Sequence, residues 1–488
     1  MRLFTAFLVM LPLLLFVPTH ADIVGDAVGG ARASMTAGSN ILTDSDALFS
    51  AAAVGKSVVV KGAGASGDDL ISTIASVDSR SRMRLAGPAS NSVSGAAYAF
   101  GTDNTSAIQA SLDKFSAHGG IVDLPAGNYL CLGHLKVPDY TTLRGINGFW
   151  CHAGFVDGVP HTYPQDGGTT LWVTEKGSTS FIDAWTDSTV EGICFFYPLQ
   201  MASQAVPTPY PWTIEGNSGH RNINVRNVEL LNSYQGIRVA GKGNPERVLL
   251  DGVSGQPIAF GVSLDDIWDV CRVSNCHFNP WWSGLKSPIF AWQQANGVAF
   301  DISKADWSFG VNDAAIGYMT DFWFGRGLGA TGTWTNCDAD MCRYAVVCNG
   351  IDRAIGLNLV GWKFTANDPH GVAILLTDGC SGAVTIADSD FAAVGERVLQ
   401  VGAGDPFVCL ANNHIDNWGG GGPSSAVYAK SGVLRCTGNY FGGNVTAPQV
   451  ELEPGVKKAI VSDNLAAPGA TFNVKNGIGD RAGISGNL

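Results

Sequence analysis

Charge is scarce in this chain, and basic charge is scarcest. Only 15% of its 488 residues are charged, and 42 acidic against 30 basic side chains leave a formal net charge of −12. A nucleic-acid partner needs a basic face to displace counterions from phosphates, so this composition argues against that class of function. Cysteine spacing argues against another. The 11 cysteines include no C-x-x-C and no Cys/His cluster with zinc-ligand spacing, so no metal site follows from them. Their odd number leaves at least one thiol free. Cys276 and Cys337 share a repeat position, described below, and are either small core side chains or a disulfide. Long apolar runs are also missing beyond the first residues, and with them any candidate membrane span.

The first residues form a separate segment. Arg2 precedes an almost unbroken apolar run over residues 3–17, and Thr19 and Ala21 place small residues where a leader is cut. Residues 1–21 therefore read as a signal peptide. The expectation is a secreted protein, periplasmic or extracellular, with no membrane partner once the leader is removed.

Glycine is abundant, at 62 residues, and the mean hydropathy is +0.12. Both suit many short buried strands joined by tight turns. The decisive signal is a weak six-residue repeat: apolar, any, Asn or small, variable, polar, large apolar. It reads VEGICF from Val190, VRNVEL from Val225, VSNCHF from Val273, ISKADW from Ile302 and WTNCDA from Trp334. It continues as LVGWKF from Leu359, IADSDF from Ile386, LANNHI from Leu410 and CTGNYF from Cys436, with a looser copy, LLDGVS, from Leu249. Most copies start about 24 to 30 residues apart, the length of one solenoid coil of three short strands. Asn or Gly at the third position suits a bend with left-handed backbone. The sixth position (Leu230, Phe278, Trp307, Phe364, Phe391, Ile415, Phe441) is expected to point inward as an apolar column. Gly-bounded segments such as GIRVAG, GVSLDD and GVAFDI supply a further strand per coil, leaving one outward side chain per coil in a row on which a polymer can lie.

The predicted fold is all-β: a single-stranded right-handed parallel β-helix over 101–465, after a small β-rich module at 22–100 and before a C-terminal tail or cap at 466–488. A short amphipathic helix with Ile108 and Leu112 on its apolar face, started by Asp103 or Thr105, is expected to cover the open end of the first coil.

The block over 101–148 carries a family resemblance. Gly101, Asp103, Thr105, Ala107, Ile108, Gln109, Leu112 and Asp113 are followed by Gly119, Gly120, Val122, Leu124, Pro125, Gly127 and Tyr129, then by Thr142, Leu143, Arg144 and Gly145. This order resembles the entry segment of the pectate lyase superfamily of right-handed β-helices, including polygalacturonase-like, rhamnogalacturonase-like, tailspike depolymerase and exopolysaccharide-associated proteins. The resemblance implies the solenoid fold, a polysaccharide partner and, from the tailspike members, a homotrimer as one assembly to consider. It does not name the reaction. The G-D-D and G-H-G of polygalacturonases are met only by Leu264-Asp265-Asp266 and His370-Gly371, and R-x-K is absent.

Candidate chemistry lies mid-chain, where carboxylates and aromatics concentrate between Arg238 and Arg326. Glycoside hydrolysis needs one protonated and one ionised carboxyl group. Asp265 or Asp266 with Asp301 on the next coil offers that pair, with Asp306 close by; strands about 4.8 Å apart allow either hydrolytic separation. Alternatively, β-elimination on a uronate needs a base and a cation, available as His277, Arg326, Arg238 and Lys304; no cofactor is expected for hydrolysis, and calcium enters only with a lyase. Trp281, Trp282, Trp292 and Trp323 are candidate sugar-stacking walls. Beyond Trp323, Val347, Leu375 and Leu399 hold the equivalent strand positions, which turns attention to the earlier coils.

Overall fold

A computed structural model describes residues 23–146, 155–156, 159–160, 167–217, 219–241, 245–327, 329–420, 422, 424–443 and 446–488. The signal peptide read at 1–21 and Cys151 lie outside them.

From Gly120 onward the chain winds as a right-handed parallel β-helix of about 13 turns. Each coil gives one strand to each of three sheets. Sheet 1 has 14 strands, from Gly120–Asp123 to Ala482–Ser485; sheet 2 has 13, from Gly127–Cys131 to Leu465–Ala466; sheet 3 has 13, from Leu135–Val137 to Val474–Asn476. Pairing therefore runs past residue 465, with the last 23 residues still contributing strands to sheets 1 and 3.

The hexapeptide marks the corner between sheets 1 and 2. Its third residue takes left-handed backbone at Asn227, Asn275, Asn336, Asp388 and Asn412, and at Gly192, Gly361 and Gly438. Two of the hexapeptides read from the sequence are out of register. The copy from Leu249 starts at Leu250, which pairs with Val273. ISKADW is not a corner at all: the coil there is GVNDAA from Gly310, with Asn312 at the bend. Trp307 accordingly stands 48% exposed rather than in the inner column. The true copy escapes the pattern because its inward residues are small. A Cβ on Gly310 would lie 2.0 Å from the ring of Trp334 in the next coil, so the indole already fills that volume.

Inside, side chains form columns. Phe278, Phe300 and Phe322 lie with centroids 4.9 and 4.7 Å apart, and Trp362, Phe364 and Phe391 stack farther along. At the bend, Asn336 donates to Asn312 (2.7 Å), Asn312 to Asn275 (3.1 Å) and Asn275 to Asp251 (2.9 Å). A second ladder runs at the fourth position: the buried Asn413, Asn439 and Asn464 each donate a side-chain amide to the next rung at 2.9 Å, ending on the half-buried Asn487. Cys276 and Cys337 are free thiols, and they flank the fourth-position Asp313 as buried core side chains.

Helix α1 (Thr105–Asp113) buries Ile108 and Leu112 on the first coil, and Asp103 accepts from the Thr105 amide at 3.1 Å. Before it, strands between Val28 and Gly101 close an antiparallel six-stranded barrel with its own core. The barrel docks on the outer face of sheet 2: Ala27 and Ala99 join Leu130, Trp172 and Phe196, and the Lys61 ammonium donates to the Leu199 carbonyl at 2.8 Å.

Two outcomes follow. Asn439→Ala leaves buried partners of Asn413 and Asn464 unsatisfied and should cost about 3–5 kcal/mol, read as loss of hydrogen-exchange protection in the C-terminal coils first. Asp313 accepts from the Cys276 amide at 3.0 Å as a ladder Asn does, and burial pushes its carboxyl up to about 7. A folded value raised above the unfolded one means stability falls as pH rises from about 4 to about 7. Asp313→Asn should flatten that part of the stability profile in a pH series of denaturant melts.

Candidate functional site

The barrel docks on sheet 2 and leaves sheets 1 and 3 open, and the candidate residues gather on sheet 3. Its outward residues align in register: Lys136, Asp183, Glu215, Arg238, Ser263, Asp301, Trp323, Val347, Leu375, Gln400, Tyr428, Glu451, Lys475. Gln400, not Leu399, holds the outward position in its coil, and Leu399 is buried. The row is polar and aromatic up to Trp323, becomes apolar for two coils, and turns polar again. Six rungs of about 4.8 Å make the first stretch about 29 Å long, room for several sugar rings.

Asp301 is the centre of this stretch. It is 3% exposed, and four groups from different segments converge on it. The Ser303 hydroxyl donates at 3.1 Å from just past the end of the Asp301 strand, and Ser263 lies at 3.5 Å on the preceding rung. Arg326 Nη1 stands 3.3 Å from Oδ2, and Asp265 supplies the neighbouring negative charge. Burial dominates: it lifts the Asp301 carboxyl above the ordinary carboxylate range, Asp265 adds to the rise, and Arg326 and Ser303 only partly oppose it.

Local backbone explains how Arg326 arrives there. Gly325 ends its strand with left-handed backbone, and a Cβ would sit 2.3 Å from the Gly350 carbonyl. That turn lays the guanidinium against the rings of Phe260 and Trp323, 5.3 and 5.2 Å from their centroids. The Trp323 indole nitrogen is buried without an acceptor among the described residues.

The other sequence-predicted residues divide clearly. Asp266 is engaged apart from Asp301: it takes left-handed backbone, pairs with Lys304, and accepts from Trp268 Nε1 at 3.2 Å. The Lys304 hydrogen bond holds the Asp266 carboxyl below its usual value. Arg238 pairs with Glu215 at 3.1 Å, one rung from Ser263. Asp306 does not join the row; its amide bonds the Ile267 carbonyl in a loop toward sheet 1. His277 is a correction to the sequence reading, because it belongs to the outward row of sheet 2, where its ring packs edge-on against Trp281 at 4.7 Å. Burial lowers its pKa. The tryptophan wall is a second correction. Trp282 is buried in the contact with the barrel side of sheet 2, and Trp292, on helix α2 (Pro288–Asn296), packs with Tyr234 on the flank. Only Trp323 of the four lies on the sheet 3 row.

Ser263, Ser303, Phe260 and Glu215 were not singled out from sequence. Aligned from their glycines, GVSLDD and GVAFDI set Asp265 against Asp301; the observed register is shifted by two and pairs Ser263 with Asp301, which the sequence pattern did not signal. Of the carboxylates here, Glu215, Asp266 and Asp301 are each paired with a cation, and no His, Cys, Asp or Glu cluster able to hold a metal occurs among the described residues.

No protein-family model and no curated protein matches the chain. Among solved structures it is similar to the A-module of mannuronan C-5 epimerase AlgE6 from Azotobacter vinelandii, with 13% identity, 79% of this chain and 95% of that one covered, and a TM-score of 0.43. It is also similar to a DFA-IIIase from Arthrobacter chlorophenolicus (11% identity, 74% and 90% covered, TM-score 0.41). A third is the catalytic unit of a thermostable α-1,3-glucanase from Streptomyces thermodiastaticus (12%, 95% and 88%, TM-score 0.38).

Because Asp301 binds its proton more tightly folded than unfolded, its contribution to stability falls as pH rises through its folded value. Asp301→Asn should therefore melt higher than the wild type at neutral pH and converge with it in acid. Equal melting midpoints at both pH values would contradict the electrostatics described.

Proposed function

We propose that this chain is a secreted carbohydrate-active enzyme that lays a polysaccharide along sheet 3 and cleaves a glycosidic bond with Asp301 and Asp265. The observation that carries the reading is the buried Asp301 carboxyl beside a second carboxyl, on an outward row otherwise built of polar and aromatic side chains. Hydrolysis asks for that asymmetry. Asp301, sheltered and biased toward its neutral form, donates a proton to the leaving oxygen, while the more exposed Asp265 activates water or attacks the sugar. Phe260 and Trp323 offer apolar faces on either side of the reacting position, and sugar C–H faces pack on aromatic rings.

A second reading, β-elimination on a uronate, is favoured by one observation: Arg326, a fixed cation, lies at the same place as the carboxyl pair. Product chemistry separates the two. Hydrolysis releases reducing ends without near-ultraviolet absorbance, whereas elimination leaves an unsaturated sugar that absorbs. A glycan-binding protein without catalysis would retain polymer and never shorten it.

On the hydrolytic reading, Asp301→Asn and Asp265→Asn each lower the rate of reducing-end release by about 10²–10⁴-fold. The circular dichroism spectrum should keep its β character. Full activity in both variants removes the acidic pair as the mechanism.

A further inference from the structure

The ion pair at the centre of the site is lopsided. The side chain of Asp301 is 5% exposed and that of Arg326 is 45% exposed. Asp301 is dry, and the guanidinium above it is open to solvent. Of its nitrogens, Nη1 alone is engaged with the carboxyl, while Phe260 and Trp323 hold the guanidinium carbon in place. Arg238 pairs with Glu215 in a similarly lopsided way, 41% against 10% exposed, Lys304 pairs with Asp266, and Lys136 lies over the Trp185 ring. Arg326 is set apart by its partner: it is the cation on the buried Asp301 beside a second carboxyl, and its planar guanidinium offers two parallel donors to an incoming carboxylate.

Resting on the reading above and deepening it, we propose that the substrate is an acidic glycan recognised by exchange: a sugar carboxylate captures Arg326, and Asp301 takes up a solvent proton in return. The groups facing Asp301 make the second half follow from the first. Ser263 and Ser303 are neutral hydroxyls, Asp265 is a like charge, and Trp323 on the following rung carries none. Arg326 is the one cation among the groups that act on it. Once the guanidinium turns to the substrate, burial and the second carboxyl both favour the neutral acid. One proton moves from water to Asp301, and no bond in the sugar changes at this step. Binding the right substrate thereby loads the acid that cleaves it, whereas a neutral glycan leaves Arg326 on Asp301 and the acid unloaded.

The experiment is calorimetric titration of the full-length protein with oligomers of polygalacturonate, alginate and hyaluronan, and with dextran oligomers as the neutral control. Each is run in two buffers of different ionisation enthalpy, so that buffer-dependent heat reports protons. At least one acidic oligomer should bind with net proton uptake. Asp301→Asn should bind it without uptake, Arg326→Gln should bind it about 10-fold or more weakly, and Arg326→Lys should recover part of the loss. Acidic binding without proton uptake, an unchanged affinity in Arg326→Gln, or binding of dextran alone or of no oligomer overturns the exchange. These failures are distinct from failure of the acidic pair. If Asp301→Asn still cleaves, the hydrolytic reading falls; if it does not cleave while Arg326 proves indifferent to acidic oligomers, only the exchange falls.

Discussion

One spacing governs this molecule. Every strand must sit one inter-strand spacing, about 4.8 Å, from its predecessor in the coil before, and the corner between sheets 1 and 2 leaves almost no slack in meeting that demand. The left-handed residue at that corner reverses the chain over a single position, so residues on either side are locked in phase from coil to coil. Like then stacks on like: amides on amides, rings on rings. The same phase-locking brings Ser263, Asp301 and Trp323 onto adjacent rungs of one face despite their separation along the chain.

Carboxyl groups show two answers to the cost of burial. On the sheet 3 face three are paired with cations: Glu215 with Arg238, Asp266 with Lys304, Asp301 with Arg326. Inside the coil burial biases them toward the neutral form. Asp313 takes the place of a ladder amide, and Asp321, fully buried, occupies a position held by Gly or Ala in neighbouring coils, with burial raising its carboxyl well above the usual range. Asp301 combines both conditions, a cation and a dry surrounding, and burial lifts its carboxyl whereas Lys304 holds that of Asp266 down. That combination is what the proposed acid role of Asp301 rests on.

The solenoid was legible because the corner imposes the same residue types in nearly every coil. It became illegible where a neighbour supplied the missing bulk: Gly310 and Ala315 look nothing like the repeat, since Trp334 fills the space their coil leaves empty. The barrel was visible only as alternating strands, because its closure depends on pairings among distant segments. For the site, Asp265, Asp301 and Arg326 stood out as charged residues on neighbouring coils, but their register did not, because the strands of Ser263 and Asp301 pair two positions out of frame with the glycines that bound them. The fates of Trp282 and His277 were not, because which sheet face lies open depends on where the barrel docks and where α2 packs.

The excursion over residues 279–297, which includes α2, leaves sheet 2 after Phe278 and rejoins sheet 3 at Val298 without disturbing either ladder. A chain built this way resembles a rack into which shelves of any depth can be slotted. Loops at the corners are free to lengthen, shorten or change composition while the rungs beneath keep their height. New substrate contacts are therefore available to such a scaffold by editing its margins, with the acid, its serines and its guanidinium left undisturbed.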